Sequence, residues 1–78
     1  MKARTYITLN DTINKYEGLT RNAVAVEARV RPATVNELCS GDSKAIRFDT
    51  LIKIVNALNT LTGVKHKIDD IIIIEYNE

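Results

Sequence analysis

Apolar residues recur at helical spacing in four stretches of the chain, and β-branched or aromatic residues gather near its two ends. Leu9, Ile13 and Tyr16 make one face of a short first helix that Asn10 can cap, that runs to about Glu17 and that Gly18 stops. Thr20 is a good cap for a second helix, because its hydroxyl can accept from an unpaired first-turn amide. Val24, Ala25 and Ala28 give that helix a narrow apolar face. Val30 marks a short break, and Pro32 opens a third helix at the position where proline is best tolerated. Val35 and Leu38 continue the face, and Gly41 ends it. The clearest helix runs from about Phe48 to Leu58, where Leu51, Ile54, Val55 and Leu58 follow the i, i+3, i+4, i+7 rule. Asp49 and Thr50 suit its start.

Outside these helices the pattern changes. Thr5 to Leu9 alternates like a strand, Asp42 to Ile46 is a polar loop, and Thr60 to Lys67 is a longer loop containing Gly63. Ile68 to Tyr76 divides into one helical turn followed by a strand, since Ile71 to Tyr76 has strong strand propensity. The two terminal strands can pair within one chain or between two. An isolated ribbon is marginal, so it needs the helices or a partner. Val24, Ala25, Ala28, Val30, Val35, Leu38, Phe48, Leu51, Ile54, Val55 and Leu58 are the expected core.

Two helices of about eight residues, with small Ala25 where they must approach, form the skeleton of a helix-turn-helix. At this point the chain resembles the phage-repressor and Cro-like helix-turn-helix family, also called XRE. Leu19, Thr20, Val24, Ala25, Ala28, Val30, Thr34, Val35, Leu38 and Gly41 stand in the family's register, and Phe48, Leu51, Ile54 and Leu58 match its fourth helix. The resemblance covers about residues 9 to 59. It implies a mainly α fold: a four- to five-helix repressor-like domain, with short N- and C-terminal β-strands that can pair. Residues 1–78 read as a single domain, with 60–78 a C-terminal extension.

Two positions depart from the family. Arg29 stands where the turn usually has glycine, at a cost on the order of 1 kcal/mol if its geometry is left-handed. Arg31 stands where Ser or Thr usually caps the third helix, and it cannot accept the amide bond. Both departures put long cations next to the expected DNA surface, where phosphates are the work they would do. Two solvated surface arginines are the alternative.

The resemblance assigns roles residue by residue. The third helix of the family lies in the major groove, which implies base contacts from Arg31, Pro32, Ala33, Thr34 and Glu37. Arg31 suits guanine O6 and N7 or a phosphate, Ala33 and the Thr34 methyl suit thymine methyls, and Glu37 suits cytosine N4. Asn36 is the one amide on this helix, and family geometry turns it aside. Direct readout is thin, leaving a share to DNA shape. Phosphate contacts are implied for Thr20, Arg21, Ser40, Ser43, Lys44 and Arg47, which orient the protein without reading sequence. Val26 lies where relatives carry a polar residue, and is either a scattered surface valine or a contact with another chain.

Composition adds bounds. The 78 residues are 45% hydrophobic and 27% charged, which fits a small globular unit. The net charge of +1 promises a moderate field. Its distribution matters more: Arg21, Arg29, Arg31, Lys44, Arg47 and Lys53 lie in the helix-turn-helix and after it, while Asp69, Asp70, Glu75 and Glu78 gather at the end. Glu27, Glu37, Asp42 and Asp49 dilute the cations. The single cysteine, Cys39, excludes an intramolecular disulfide and reads as a small filler at a helix end. A cytoplasmic location fits, with no signal-like segment and no apolar run long enough to span a bilayer.

Enzyme chemistry lacks its inventory. His66 is the one histidine and reads as a solvated loop residue, no metal-ligand spacing exists, and Gly18, Gly41 and Gly63 are isolated. Asp69 and Asp70 read as a helix-start pair. No cofactor or metal is implied. The leading expectation is a small repressor binding double-stranded DNA as a homodimer, with recognition helices about 34 Å apart. The C-terminal strand or last helix is the expected interface. The alternative is an antitoxin-like or phage-control interaction module whose acidic, isoleucine-rich C-terminus grips a protein partner.

Overall fold

Leu9, Ile13, Val24, Ala25, Ala28, Val35, Leu38, Leu51, Ile54, Ala57, Leu58 and Ile71 form one buried cluster, and it gathers every helix and the C-terminal segment around it. Each fully buried aliphatic side chain contributes about 1.5–3 kcal/mol by leaving water. The computed structural model describes residues 2–41 and 45–77. Along the chain it places β1 (Lys2–Ile7), α1 (Leu9–Asn14), α2 (Arg21–Ala28), α3 (Pro32–Ser40), α4 (Phe48–Thr62), a 3₁₀ turn (Ile68–Asp70) and β2 (Ile72–Asn77). The fold is therefore mainly helical, with two short antiparallel strands at the ends. The 3₁₀ turn occupies the place of a fifth helix.

The first helix is shorter than its apolar pattern implies. Thr8 rather than Asn10 precedes it, and it ends at Asn14. Its last turn tightens through bonds from Lys15 N–H to the Thr12 carbonyl and from Tyr16 N–H to that of Ile13, both 3.2 Å. The fourth helix is longer, running past Leu58 to Thr62. Gly63 stops it with φ 72°, and its N–H reaches the Asn59 carbonyl at 2.9 Å. The loop expected from Thr60 thus begins only at Gly63.

Phe48, expected in the core, is 84% exposed. The buried arc of α4 is set by Leu51, Ile54, Ala57 and Leu58. At about 100° per residue, Phe48 lies roughly a third of a turn from the centre of that arc, on the side of Ile52. His66, read as solvated, is only 7% exposed. Its ring meets the Tyr16 ring edge-on at a centroid distance of 5.6 Å.

The two strands pair in the register Thr5↔Ile74, Tyr6↔Ile73, Ile7↔Ile72, with β1 beginning at Lys2 rather than Thr5. The 3₁₀ turn and Ile71, which lead into β2, are fastened to α1 by Thr12 on that helix and Thr8 just before it. Thr8 N–H donates to the Ile71 carbonyl at 2.7 Å and Thr8 Oγ1 to that of Asp69 at 2.7 Å. Buried Thr12 donates Oγ1 to the Asp70 carbonyl at 2.5 Å. Asp70 in turn accepts from Lys67 N–H at 3.0 Å, so its carboxylate caps the 3₁₀ turn.

Candidate nucleic-acid interface

The start of α2 is built as its sequence requires. Thr20 holds an extended backbone, and its Oγ1 accepts from Ala23 N–H at 3.0 Å. Arg21 follows, exposed, with its guanidinium Nη2 donating to Asn10 Oδ1 at 2.9 Å. The sequence offers Asn10 as a helix cap and not as a partner for Arg21, since eleven residues separate the two and no local pattern links them. Arg21 also lowers the thiol pKa of half-buried Cys39, but burial outweighs it and leaves that thiol raised.

Arg29 turns the chain with φ 59° and ψ 41°. Its N–H bonds the Val26 carbonyl at 3.2 Å, while Val30 N–H reaches back to Ala25 at 3.0 Å. That is the two-bond helix ending usually left to glycine. Arg29 lines a depression with Lys53, Asn56 and Thr60 of α4.

At α3, Arg31 takes an extended backbone and makes no side-chain cap bond, as its chemistry dictates. Pro32 supplies the first helical residue without needing a hydrogen-bond acceptor. Val35 and Leu38 seat the helix in the core. Arg31, Pro32, Ala33, Asn36 and Glu37 are exposed and Thr34 is half-buried, so the side opposite the core faces solvent. Asn36 joins that exposed set. Gly41 ends the helix at φ 80°, and Ser40 Oγ donates to the Glu37 carbonyl at 3.1 Å.

The next cation heads α4. Arg47 is exposed and its Nε lies 3.4 Å from Asp49 Oδ1. It is the one ion pair among the described residues, and Glu27 and Glu37 take no part in it. Ser43 and Lys44 lie outside the described residues. Arg21, Arg31 and Arg47 thus stand exposed at the starts of α2, α3 and α4. Among the described residues no group of His, Cys, Asp and Glu could hold a metal ion, and no helix is long and apolar enough to cross a membrane.

Comparison with known proteins agrees with this geometry. Neither the curated proteins nor the solved structures contain a match to the chain. A family model described as helix-turn-helix matches residues 15–63. That span is more than half the chain and contains α2, α3 and α4 entire, leaving β1, α1 and the C-terminal ribbon outside. The chain therefore belongs to the XRE-type helix-turn-helix family, whose members are DNA-binding transcription regulators.

Proposed function

We propose that the protein is a repressor that binds a short two-fold operator as a homodimer, laying α3 in the major groove. The observation that carries this reading is the mounting of α3: Val35 and Leu38 are locked in the core while Arg31, Pro32, Ala33, Asn36 and Glu37 meet solvent. A helix held on one side and open on the other can enter a groove without rearranging.

In this reading Arg31, Pro32, Ala33, Thr34 and Glu37 meet base edges. Arg31 supplies a paired donor for guanine or a phosphate clamp, and Glu37 accepts from cytosine. Thr20, Arg21, Ser40, Ser43, Lys44 and Arg47 hold the backbone. The Thr20 hydroxyl already accepts from Ala23, so its contact to a phosphate oxygen uses the hydroxyl proton. The exposed cations Arg21, Arg31 and Arg47 at the starts of three helices favour this reading over a purely protein-binding module.

The test is binding of the chain to random-sequence duplex over a salt series. About six to eight phosphate contacts give a slope of log affinity against log salt near −5 to −7. An Arg31→Ala, Arg47→Ala variant flattens that slope. Absence of binding at low salt by the folded chain would overturn the reading.

A further inference from the structure

Four large apolar side chains that the core does not use gather on one side of the molecule. Phe48, Ile52, Ile68 and Ile74 are 84%, 59%, 56% and 60% exposed. Phe48 and Ile52 are four residues apart on α4 and share its outer face. Ile52 and half-buried Val55 line an apolar groove with Ile68, and Ile68 also lines the adjoining groove with Ile72 and Ile74. The face therefore runs without a gap from the start of α4, over the 3₁₀ turn, to β2. Nothing in the fold requires it: the buried arc of α4 is complete without Phe48 and Ile52, and among the described side chains of β2 it is Ile72 that packs against the core.

We infer that this face is the seat of a second copy of the chain, packed two-fold on the same surface. The inference rests on the operator reading above for the dimer's purpose and supplies its interface. Area argues for it. The four side chains expose on the order of 500 Å² of apolar surface, near the top of the range of about 300–600 Å² for the largest patch on a monomer. A stable interface covers about 800 Å² on each partner, roughly 60% of it apolar, so the patch fills that requirement.

Charge argues for it too. Lys67 and Asp69 flank Ile68, both exposed, so the rim carries both signs. Under a two-fold axis such a rim can meet itself with opposite charges facing. A strongly acidic or basic foreign partner would meet one of them as a like charge. Position completes the case: Phe48 directly follows Arg47, so an axis through this face passes beside the phosphate-facing start of α4 in both copies.

Sedimentation of the full chain without DNA, at micromolar concentrations, tests the surface separately from DNA binding. The wild type sediments as a dimer. Ile52→Glu and Ile68→Glu each weaken the dimer about tenfold or more, with unchanged circular dichroism because both side chains are exposed. Val26→Glu, on exposed α2 surface outside the patch, leaves it intact. A monomeric wild type, or a dimer that persists in both variants, overturns the inference. A wild-type dimer lost in those variants that nonetheless binds no DNA upholds the surface and overturns the operator reading.

Discussion

The Tyr16 hydroxyl lies 3.0 Å from Nε2 of His66, and Nδ1 of the same ring lies 3.1 Å from Asn59 Oδ1. An amide oxygen only accepts, so Nδ1 carries the proton and Nε2 accepts from Tyr16. Asn59 Oδ1 also accepts from His66 N–H at 2.6 Å. This small network ties the segment before the 3₁₀ turn to α4 and to the turn after α1. Tyr16→Phe costs about 1 kcal/mol, because one acceptor loses its donor near the surface. Asn59→Ala costs about 2 kcal/mol, because two donors lose one oxygen. Urea unfolding by circular dichroism gives both values, and an Asn59→Ala effect no larger than that of Tyr16→Phe would refute the assignment.

Arg29 provides a cleaner local experiment. Its left-handed backbone costs a residue with a Cβ on the order of 1 kcal/mol, partly offset because arginine has less unfolded-state freedom than glycine. Arg29→Gly is therefore stabilising by about 0.5 kcal/mol. Arg29→Val, β-branched at positive φ, destabilises by about 1–2 kcal/mol. Because Arg29 lines a depression with Lys53 and Asn56 of α4, Arg29→Gly leaves the salt slope of DNA binding unchanged. A flattened slope would return Arg29 to the phosphate surface.

These two sites mark where the sequence was legible. The helix-turn-helix could be read closely because its signals are local: Thr20 caps three residues ahead, Pro32 opens a helix, and Gly41 closes one. The left-handed turn at Arg29 could be anticipated because the family resemblance puts glycine at that position. The paired terminal strands were legible from β-branched runs at both ends. The His66 network was not, because its partners are 50 and 7 residues away and no periodicity relates them. Phe48 misled for a different reason. Its spacing to Leu51 fits a helical stripe, but the core is centred on Leu51, Ile54, Ala57 and Leu58 and turns Phe48 outward. The same ambiguity hid part of the exposed apolar face.

Cys39 reports on the charge of Arg21. Burial pushes its thiol above the ordinary value of 9.0, and the Arg21 cation pulls the other way. The folded chain therefore reacts with iodoacetamide at pH 8 more slowly than the unfolded chain, since less thiolate is present. Arg21→Ala slows the reaction further. The linkage has a definite sign: a raised folded-state pKa gives a contribution that is full below the unfolded value and is lost as pH rises through the folded one. Urea midpoints accordingly fall above about pH 9, and Cys39→Ala removes that part of the decline. Faster alkylation of Arg21→Ala than of wild type would contradict this account.

Asp49 acts on Arg47 in two opposed ways. The pair at 3.4 Å is exposed on both sides, so it contributes at most about 1 kcal/mol to stability. Asp49 also stands in the first turn of α4, where a negative charge stabilises the helix by about 0.3–1 kcal/mol. Toward DNA, however, the carboxylate is a like charge beside a phosphate and a competitor for the guanidinium. Asp49→Asn therefore lowers the urea midpoint modestly while raising affinity for random duplex several-fold at low salt. Arg47→Ala does the reverse for affinity and reduces the magnitude of the salt slope by about one. In the double variant the affinity gain from Asp49→Asn shrinks, because part of it acts through Arg47. If the gain is undiminished without Arg47, the carboxylate acts on DNA by long-range repulsion alone, and Arg47 is not the group that holds the phosphate.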